Sequence, residues 1–198
     1  MAFNVEIQAL VAFGANLPSG NLPPEKTIIA AVGALAAEGL TLCHLSRLYR
    51  TPCFPTGSGP DYVNAAAILT LRQDLSAVQV LAALHRVEAQ FGRERQLRWG
   101  MRTLDIDLLA LGDSVLPDIT TQSHWRELPP DMQRSDAPEH LVLPHPRLQD
   151  RAFVLVPLAD VAPDWVHPVL RMSVKQMLAA LPQADREQVV PIDPAASV

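Results

Sequence analysis

The stretch Arg98-Trp99-Gly100-Met101-Arg102-Thr103-Leu104-Asp105-Ile106-Asp107-Leu108-Leu109 decides how the rest of the chain is read. It begins with guanidinium groups and an indole, passes through two acids at i and i+2, and ends in an apolar run that continues to Leu111. Leu104, Ile106 and Leu108 to Leu111 predict a strand with a buried face. Side chains two apart on a strand point to the same side, with Cα atoms roughly 6.5–7 Å apart. Asp105 and Asp107 are therefore expected to project together from the mouth of that strand. Two carboxylates held that way repel each other unless positive charge lies between them. A hard divalent cation shared with phosphate oxygens meets that need. Arg93, Arg95, Arg98 and Arg102 lie beside the acids, and guanidinium forks suit phosphate oxygens. Any one of these residues alone reads as solvated surface. As a set they point to a metal–phosphate site.

Working outward, Val5 to Phe13 predicts a first strand that ends in the turn Gly14-Ala15-Asn16-Leu17. Pro23 and Pro24 suit the first turn of a helix, and Ile28, Ile29, Val32, Leu35 and Ala36 recur at helical spacing up to a stop at Gly39. Thr41 to Tyr49 alternates as a second strand, and Tyr62 to Leu71 forms a third. Asp74 or Ser76 can cap a helix carrying Val80, Leu81, Leu84, Val87 and Phe91. With the opening stretch as fourth strand the order is βαββαβ. This is an α+β, ferredoxin-like pattern with additional C-terminal helices and loops. Its helices are expected on one face, leaving the other sheet face for a ligand. The extra helices are Ala152 to Val161, kept short or broken by Pro157, and Val174 to Leu181. Residues 118–139 are polar, proline-bearing and aperiodic, and read as an insertion loop or lid; residues 183–198 read as a tail, of which Pro191 to Val198 is a frayed terminus.

The 198 residues are expected to form a single domain. A formal net charge of -5 argues against bulk nucleic-acid binding, which leaves a basic footprint. No apolar run approaches the ~20 residues of a membrane span, and no signal peptide is evident. Cys43 and Cys53 lack metal-type spacing and read as reduced thiols, so a cytoplasmic protein is expected; a monomer is expected as well. There is no Walker-type loop, GxGxxG, zinc-binding histidine pair or nucleophile elbow.

Several residues outside the opening stretch are candidates for the same site. Tyr62 and Asn64 fall on one strand face, which reads either as half-buried sheet or, with Thr51 and Phe153, as the wall of a flat heteroaromatic pocket. His145, between Pro144 and Pro146, reads as a rigid surface position or as a phosphate contact aided by Arg151. Trp99 reads as core or as a stacking lid.

Taken together, Gly14-Ala15-Asn16-Leu17, Ser46-Arg47-Leu48-Tyr49-Arg50-Thr51-Pro52, Pro60-Asp61-Tyr62-Val63-Asn64, Arg98-Trp99-Gly100, Arg102-Thr103-Leu104-Asp105-Ile106-Asp107 and Pro144-His145-Pro146 through Arg151-Ala152-Phe153 carry a family resemblance. The chain resembles the 6-hydroxymethyl-7,8-dihydropterin pyrophosphokinases of folate biosynthesis. The resemblance implies transfer of diphosphate from ATP to the hydroxymethyl group of the dihydropterin, with AMP released. It implies in-line attack on the β-phosphorus assisted by two Mg²⁺ ions, with Asp105 and Asp107 as metal ligands and Arg95 and Arg102 completing the catalytic set. It further implies nucleotide contacts from Arg98, His145 and Arg151, with Glu88 a nucleotide-side or structural residue, and a pterin pocket of Thr51, Pro52, Tyr62, Asn64, Trp99 and Phe153. Two other readings share the scaffold. A nucleotide-holding module would not need both acids, and another ATP-dependent transferase would keep them and lose Tyr62, Asn64 and Phe153.

Overall fold

The computed structural model describes residues 7–53, 57, 59–71, 75–92, 103–129, 131–132 and 136–193. Strand β1 (Gln8–Ala15) is buried on both faces, which is why its sequence reads as an apolar run rather than a clean alternation. Ala9, Val11, Phe13 and Ala15 enter one core, whereas Leu10 and Ala12 enter another. On one side β1 pairs with β4 (Tyr62–Leu71), and on the other with β5 (Asp105–Leu111). Beyond β4 lie β2 (Leu40–Leu45) and β3 (Tyr49–Thr51), both bonded to β4, then β6 (Val190–Pro191) on β3. Every pairing in this six-stranded sheet is antiparallel.

The second predicted strand is thus two strands. Ser46 interrupts it, exchanging 2.9 Å hydrogen bonds with Ala66: its N–H donates to the carbonyl and its Oγ accepts from the amide.

Helices α1 (Pro24–Ala34) and α2 (Ala77–Gln90) cover the Val11–Phe13 face. α1 runs into a 3₁₀ turn, Leu35–Glu38, which ends at Gly39 with φ 79°, a conformation open to glycine. α2 begins with a reciprocal capping box between Ser76 and Gln79.

Four expectations need correction. The second sheet face is not left bare: α4 (Ala152–Val161) and α5 (Val174–Ala180) pack over Leu10, Ala12, Ala66, Ile68, Leu109 and Ala110. Pro157 does not break α4, which spans ten residues. Residues 118–139 are not simply a loop, because α3 (Ile119–Glu127) occupies their first half, capped by Asp118. Only Gln122 of α3 is buried, so the helix has no apolar period to read; the Gln122 Nε2 donates to the Pro144 carbonyl at 3.2 Å. Nor is the C-terminal segment frayed throughout. It forms α6 (Gln183–Glu187) and β6, buries Val189, and the Ile192 N–H donates to the Leu48 carbonyl at 2.8 Å. Proline is tolerated there because β6 is a sheet edge.

His167 lies fully buried in the loop between α4 and α5. Its Nδ1 accepts from the Val169 and Leu170 amides, each at 3.2 Å. Burial, then the charge of Arg126, pushes the imidazole from 6.5 down to about 4. Unfolding therefore takes up a proton between those values, and His167 costs stability as pH falls through that window. In the His167→Asn variant an amide oxygen can replace the acceptor and the titration is gone. Urea unfolding at stepped pH is expected to show a shallower acid loss for this variant than for the parent.

Candidate active site

The carboxylates are set by register. Gly14 of β1 lies opposite Asp105 on one side and Asn64 on the other, and Ala12 opposite Asp107 and Ala66. Ile106 points into the α1–α2 core, so Asp105 and Asp107 face the other way, toward the side that α4 covers. Both are half-buried. Between the acidic strand and Asn64 lie only Ala12 and Gly14, a floor of small residues. Two strand spacings separate its walls, roughly 10 Å.

The far wall is β4 and β3. Thr51 lies opposite Tyr62, and Tyr49 opposite Asn64. The Asn64 Nδ2 donates to the Thr51 Oγ1 at 2.8 Å, both residues being buried. Asn16, just beyond β1, is also buried and donates from Nδ2 to the Pro60 carbonyl at 3.2 Å, joining the end of β1 to the loop before β4.

The start of α4 supplies the third wall. Arg151 Nη1 is 3.7 Å from the Asp107 Oδ2. The same guanidinium lies 5.6 Å from the centroid of Phe153, whose side chain is 40% exposed although it opens a helix that is otherwise largely buried. Arg151 thus touches the acidic wall and the aromatic together.

His145 is seated by a β-bulge. The β1–β5 register skips Leu109, and the carbonyl of that extra residue accepts from the His145 N–H at 2.8 Å. The Arg147 N–H donates to His145 Nδ1 at 3.1 Å, so the neutral ring carries its proton on Nε2. Burial, then the charges of Arg151 and Arg147, pushes this imidazole down to about 3, with Asp105 pulling the other way. At neutral pH His145 is therefore an uncharged Nε2–H donor. Arg147 was not singled out from the sequence. Its guanidinium is held below its usual range by burial and by Arg151, and its Nη1 is buried without a hydrogen-bond partner among the described residues. Its spacing, two residues after His145 and four before Arg151, is the only signal that could have found it.

Two expected site residues stand apart. Glu88 is fully buried on the α2 side, where its Oε1 accepts from the Ile106 N–H at 2.8 Å. It braces the strand midway between the two acids. Pro52 is exposed and lines a separate cavity of about 440 Å³ with Arg50, Asp61 and the segment from Val190 to Asp193. Arg95, Arg98, Trp99 and Arg102 lie outside the described residues.

Among the described residues, no three His, Cys, Asp or Glu side chains converge as a metal cage. The Asp105–Asp107 pair does fit Mg²⁺, which is usually held by one or two carboxylates together with phosphate oxygens and water. Cys43 is an exposed thiol and Cys53 a buried one, neither in a disulfide, and no described helix is long and apolar enough to cross a membrane.

The model of the 7,8-dihydro-6-hydroxymethylpterin-pyrophosphokinase (HPPK) family matches residues 10–163. A 2-amino-4-hydroxy-6-hydroxymethyldihydropteridine pyrophosphokinase of Synechocystis is 35% identical over 94% of this chain and 80% of its own length. The enzyme of the same name from Pseudomonas aeruginosa is 37% identical over 87% and 90%. Among solved structures, an HPPK-DHPS in complex with substrates superposes with a TM-score of 0.60 at 15% identity, over 88% of this chain and 43% of that one. Wild-type Plasmodium falciparum HPPK-DHPS gives 0.60 at 14%, over 90% and 45%. This chain spans less than half of those longer proteins, and at such identity the likeness is one of fold. The matches make the chain an enzyme of the ATP-dependent pyrophosphokinase class. It belongs to the 7,8-dihydro-6-hydroxymethylpterin-pyrophosphokinase family.

Replacing Glu88 by Ala removes the acceptor for the Ile106 amide inside the core. The expected cost is about 1–3 kcal/mol of stability, read as a lower urea midpoint. Glu88→Gln, which keeps an oxygen acceptor, is expected to lose less.

Proposed function

We propose that this chain transfers diphosphate from ATP to the hydroxymethyl group of 6-hydroxymethyl-7,8-dihydropterin, releasing AMP, as a step of folate biosynthesis. The observation that carries this reading is the arrangement of two unlike walls on one sheet face. Asp105 and Asp107, with Arg151 and His145, form a wall suited to metal and phosphate. Thr51 and Asn64, with exposed Phe153, form a wall suited to a flat polar ring. The small floor of Ala12 and Gly14 leaves space between them. The sheet order β5-β1-β4 followed by β2 and β3, with α1 and α2 on one face, supports a ferredoxin-like core within a single domain of residues 1–198. A cytoplasmic monomer is part of the proposal.

In this reading Asp105 and Asp107 would hold two Mg²⁺ ions, which would supply neutralisation of the triphosphate charge. Arg151 lies 3.7 Å from Asp107 and donates to the phosphate oxygens. His145, neutral and protonated on Nε2, adds a donor without adding charge. Arg147 contributes positive potential from behind. Arg95, Arg98 and Arg102 serve the phosphates as well, and Trp99 belongs to the pterin pocket. Asn64, steadied by Thr51, presents its amide to the edge of the pterin ring, Tyr62 flanks it and Phe153 stacks on its face. The pterin hydroxyl attacks the β-phosphorus in line, the bond from that phosphorus to the bridging oxygen of AMP breaks, and no covalent enzyme intermediate forms. Catalysis is positioning and charge stabilisation.

The assay is ATP, Mg²⁺ and 6-hydroxymethyl-7,8-dihydropterin, with AMP as product. ADP instead would mean simple phosphoryl transfer, and no nucleotide product would mean a binding module. Asp107→Ala is expected to lower AMP formation by ~100-fold or more while pterin affinity, read by equilibrium binding, changes little. Phe153→Ala is expected to raise the pterin KM by about tenfold, the loss of one aromatic stacking contact, and to leave the ATP KM unchanged.

A further inference from the structure

Far from the acids, one carboxylate of α4 gathers an unusual number of donors. Asp160 Oδ2 accepts from the Tyr49 hydroxyl at 2.8 Å, from the Arg47 Nε at 3.0 Å and from the Arg47 amide at 3.3 Å, while Oδ1 accepts from the Arg47 Nη2 at 2.8 Å. The Arg47 guanidinium also lies 5.3 Å from the Tyr49 ring centroid. Tyr49 is only 2% exposed, so its hydroxyl needs a hydrogen-bond partner within the protein, and Asp160 is that partner. Burial alone would raise the Asp160 carboxyl, but the bonds from Arg47 and Tyr49 outweigh it and hold the group below the usual carboxylate range. Burial, then the bond to Asp160 and its negative charge, pushes the Tyr49 phenol up to about 12, with Arg47 pulling the other way.

What this contact joins matters more than how strong it is. Tyr49 sits two residues before Thr51 on β3 and opposite Asn64, so its face is that of the Thr51–Asn64 pair. Its ring belongs to one buried cluster with Ala152, in the first turn of α4, and Val189. Tyr49 therefore bears on α4 near both ends: at Ala152, beside Arg151 and Phe153, and at Asp160 two turns later. The helix needs both supports. Pro157 has no N–H to donate to the Phe153 carbonyl, so one bond between the two halves of α4 is missing.

We infer that Asp160 is a positioning residue for the pterin half of the site: acting through Tyr49 and Arg47, it fixes the axis of α4 and so the spacing between Phe153 and the Thr51–Asn64 pair. The inference rests on the proposed reaction for its kinetic consequence but not for its structural one. Asp160→Asn keeps the shape and removes the charge. Its pterin KM is expected to rise about tenfold, less than the ~100-fold that an ångström of misplacement can cost, and its ATP KM to rise by less, since Arg151 also sits at the start of α4. Tyr49→Phe, which deletes only the hydroxyl, is expected to shift the pterin KM in the same direction by less. Equal rises in both KM values, or an unchanged pterin KM, would overturn the inference. Amide hydrogen exchange supplies the readout that does not depend on turnover. The Val154 and Leu155 amides, which donate to the Arg151 carbonyl, are expected to exchange faster in Asp160→Asn while α2 stays protected. Unchanged exchange there would refute the positioning role. A parent protein that makes no AMP would refute the reaction and leave the exchange result to decide the role of Asp160.

Discussion

A single strand buried on both faces constrains the molecule. β1 must pair on both edges and supply side chains to two cores, so its C-terminal end has only backbone and small side chains to offer a ligand. Ala12 and Gly14 are what remain there, and a Cβ added at Gly14 would meet the Asn64 Oδ1 at an ordinary contact of 3.5 Å. The glycine is thus not demanded by crowding against the protein. A small residue at that point keeps the floor low between the carboxylates of β5 and the amide of β4. The antiparallel register then does the rest, because it sets Asp105 and Asn64 across from the same residue of β1.

The charge pattern around this floor is lopsided in a way that suits an anionic substrate. Arg147 and Arg151 bear on His145 strongly enough to help keep its imidazole neutral, while two acids stand opposite. A site with this composition is strained toward ligands that bring both a cation and negative oxygens: the cation relieves the acids and the oxygens relieve the arginines. The packing behind it is stiff. Glu88 holds the β5 backbone from the α2 side, Gln122 holds the carbonyl before His145, and the Leu109 bulge holds the His145 amide. Helix α4 links this charged region to the aromatic one, since Arg151 and Phe153 occupy its first residues and Asp160 ties its far end to β3.

Much of this was legible in advance for definite reasons. The strand carrying Asp105 and Asp107 was readable because alternation on a strand is a local property, and both acids do share a face. Both main helices were readable from their apolar period and their caps. The placing of Tyr62 and Asn64 on one face followed from the same period-two rule. Other features were not local. α3 buries Gln122 rather than an apolar stripe, so periodicity could not reveal it. β6 owes its existence to a neighbouring edge at β3 that no window of sequence contains. For Glu88 the resemblance left a structural and a nucleotide-side role open, and only its position on α2 shows it turned into the core, where its acceptor meets the Ile106 amide.

By itself, then, the sequence determined which side chains share a face, where two helices begin and end, and that acids and arginines are concentrated near one strand mouth, because these depend on backbone geometry over a few residues. Only the tertiary structure decided what stands opposite the acids. It covered the second sheet face with α4 and α5, laid Arg151 on Asp107, left Phe153 exposed beside it, and made Arg147 and Asp160 part of the account. Those contacts join residues a few tens to more than a hundred positions apart, such as Tyr49 with Asp160, and they exist because burying two apolar faces of one sheet leaves the chain few other ways to close.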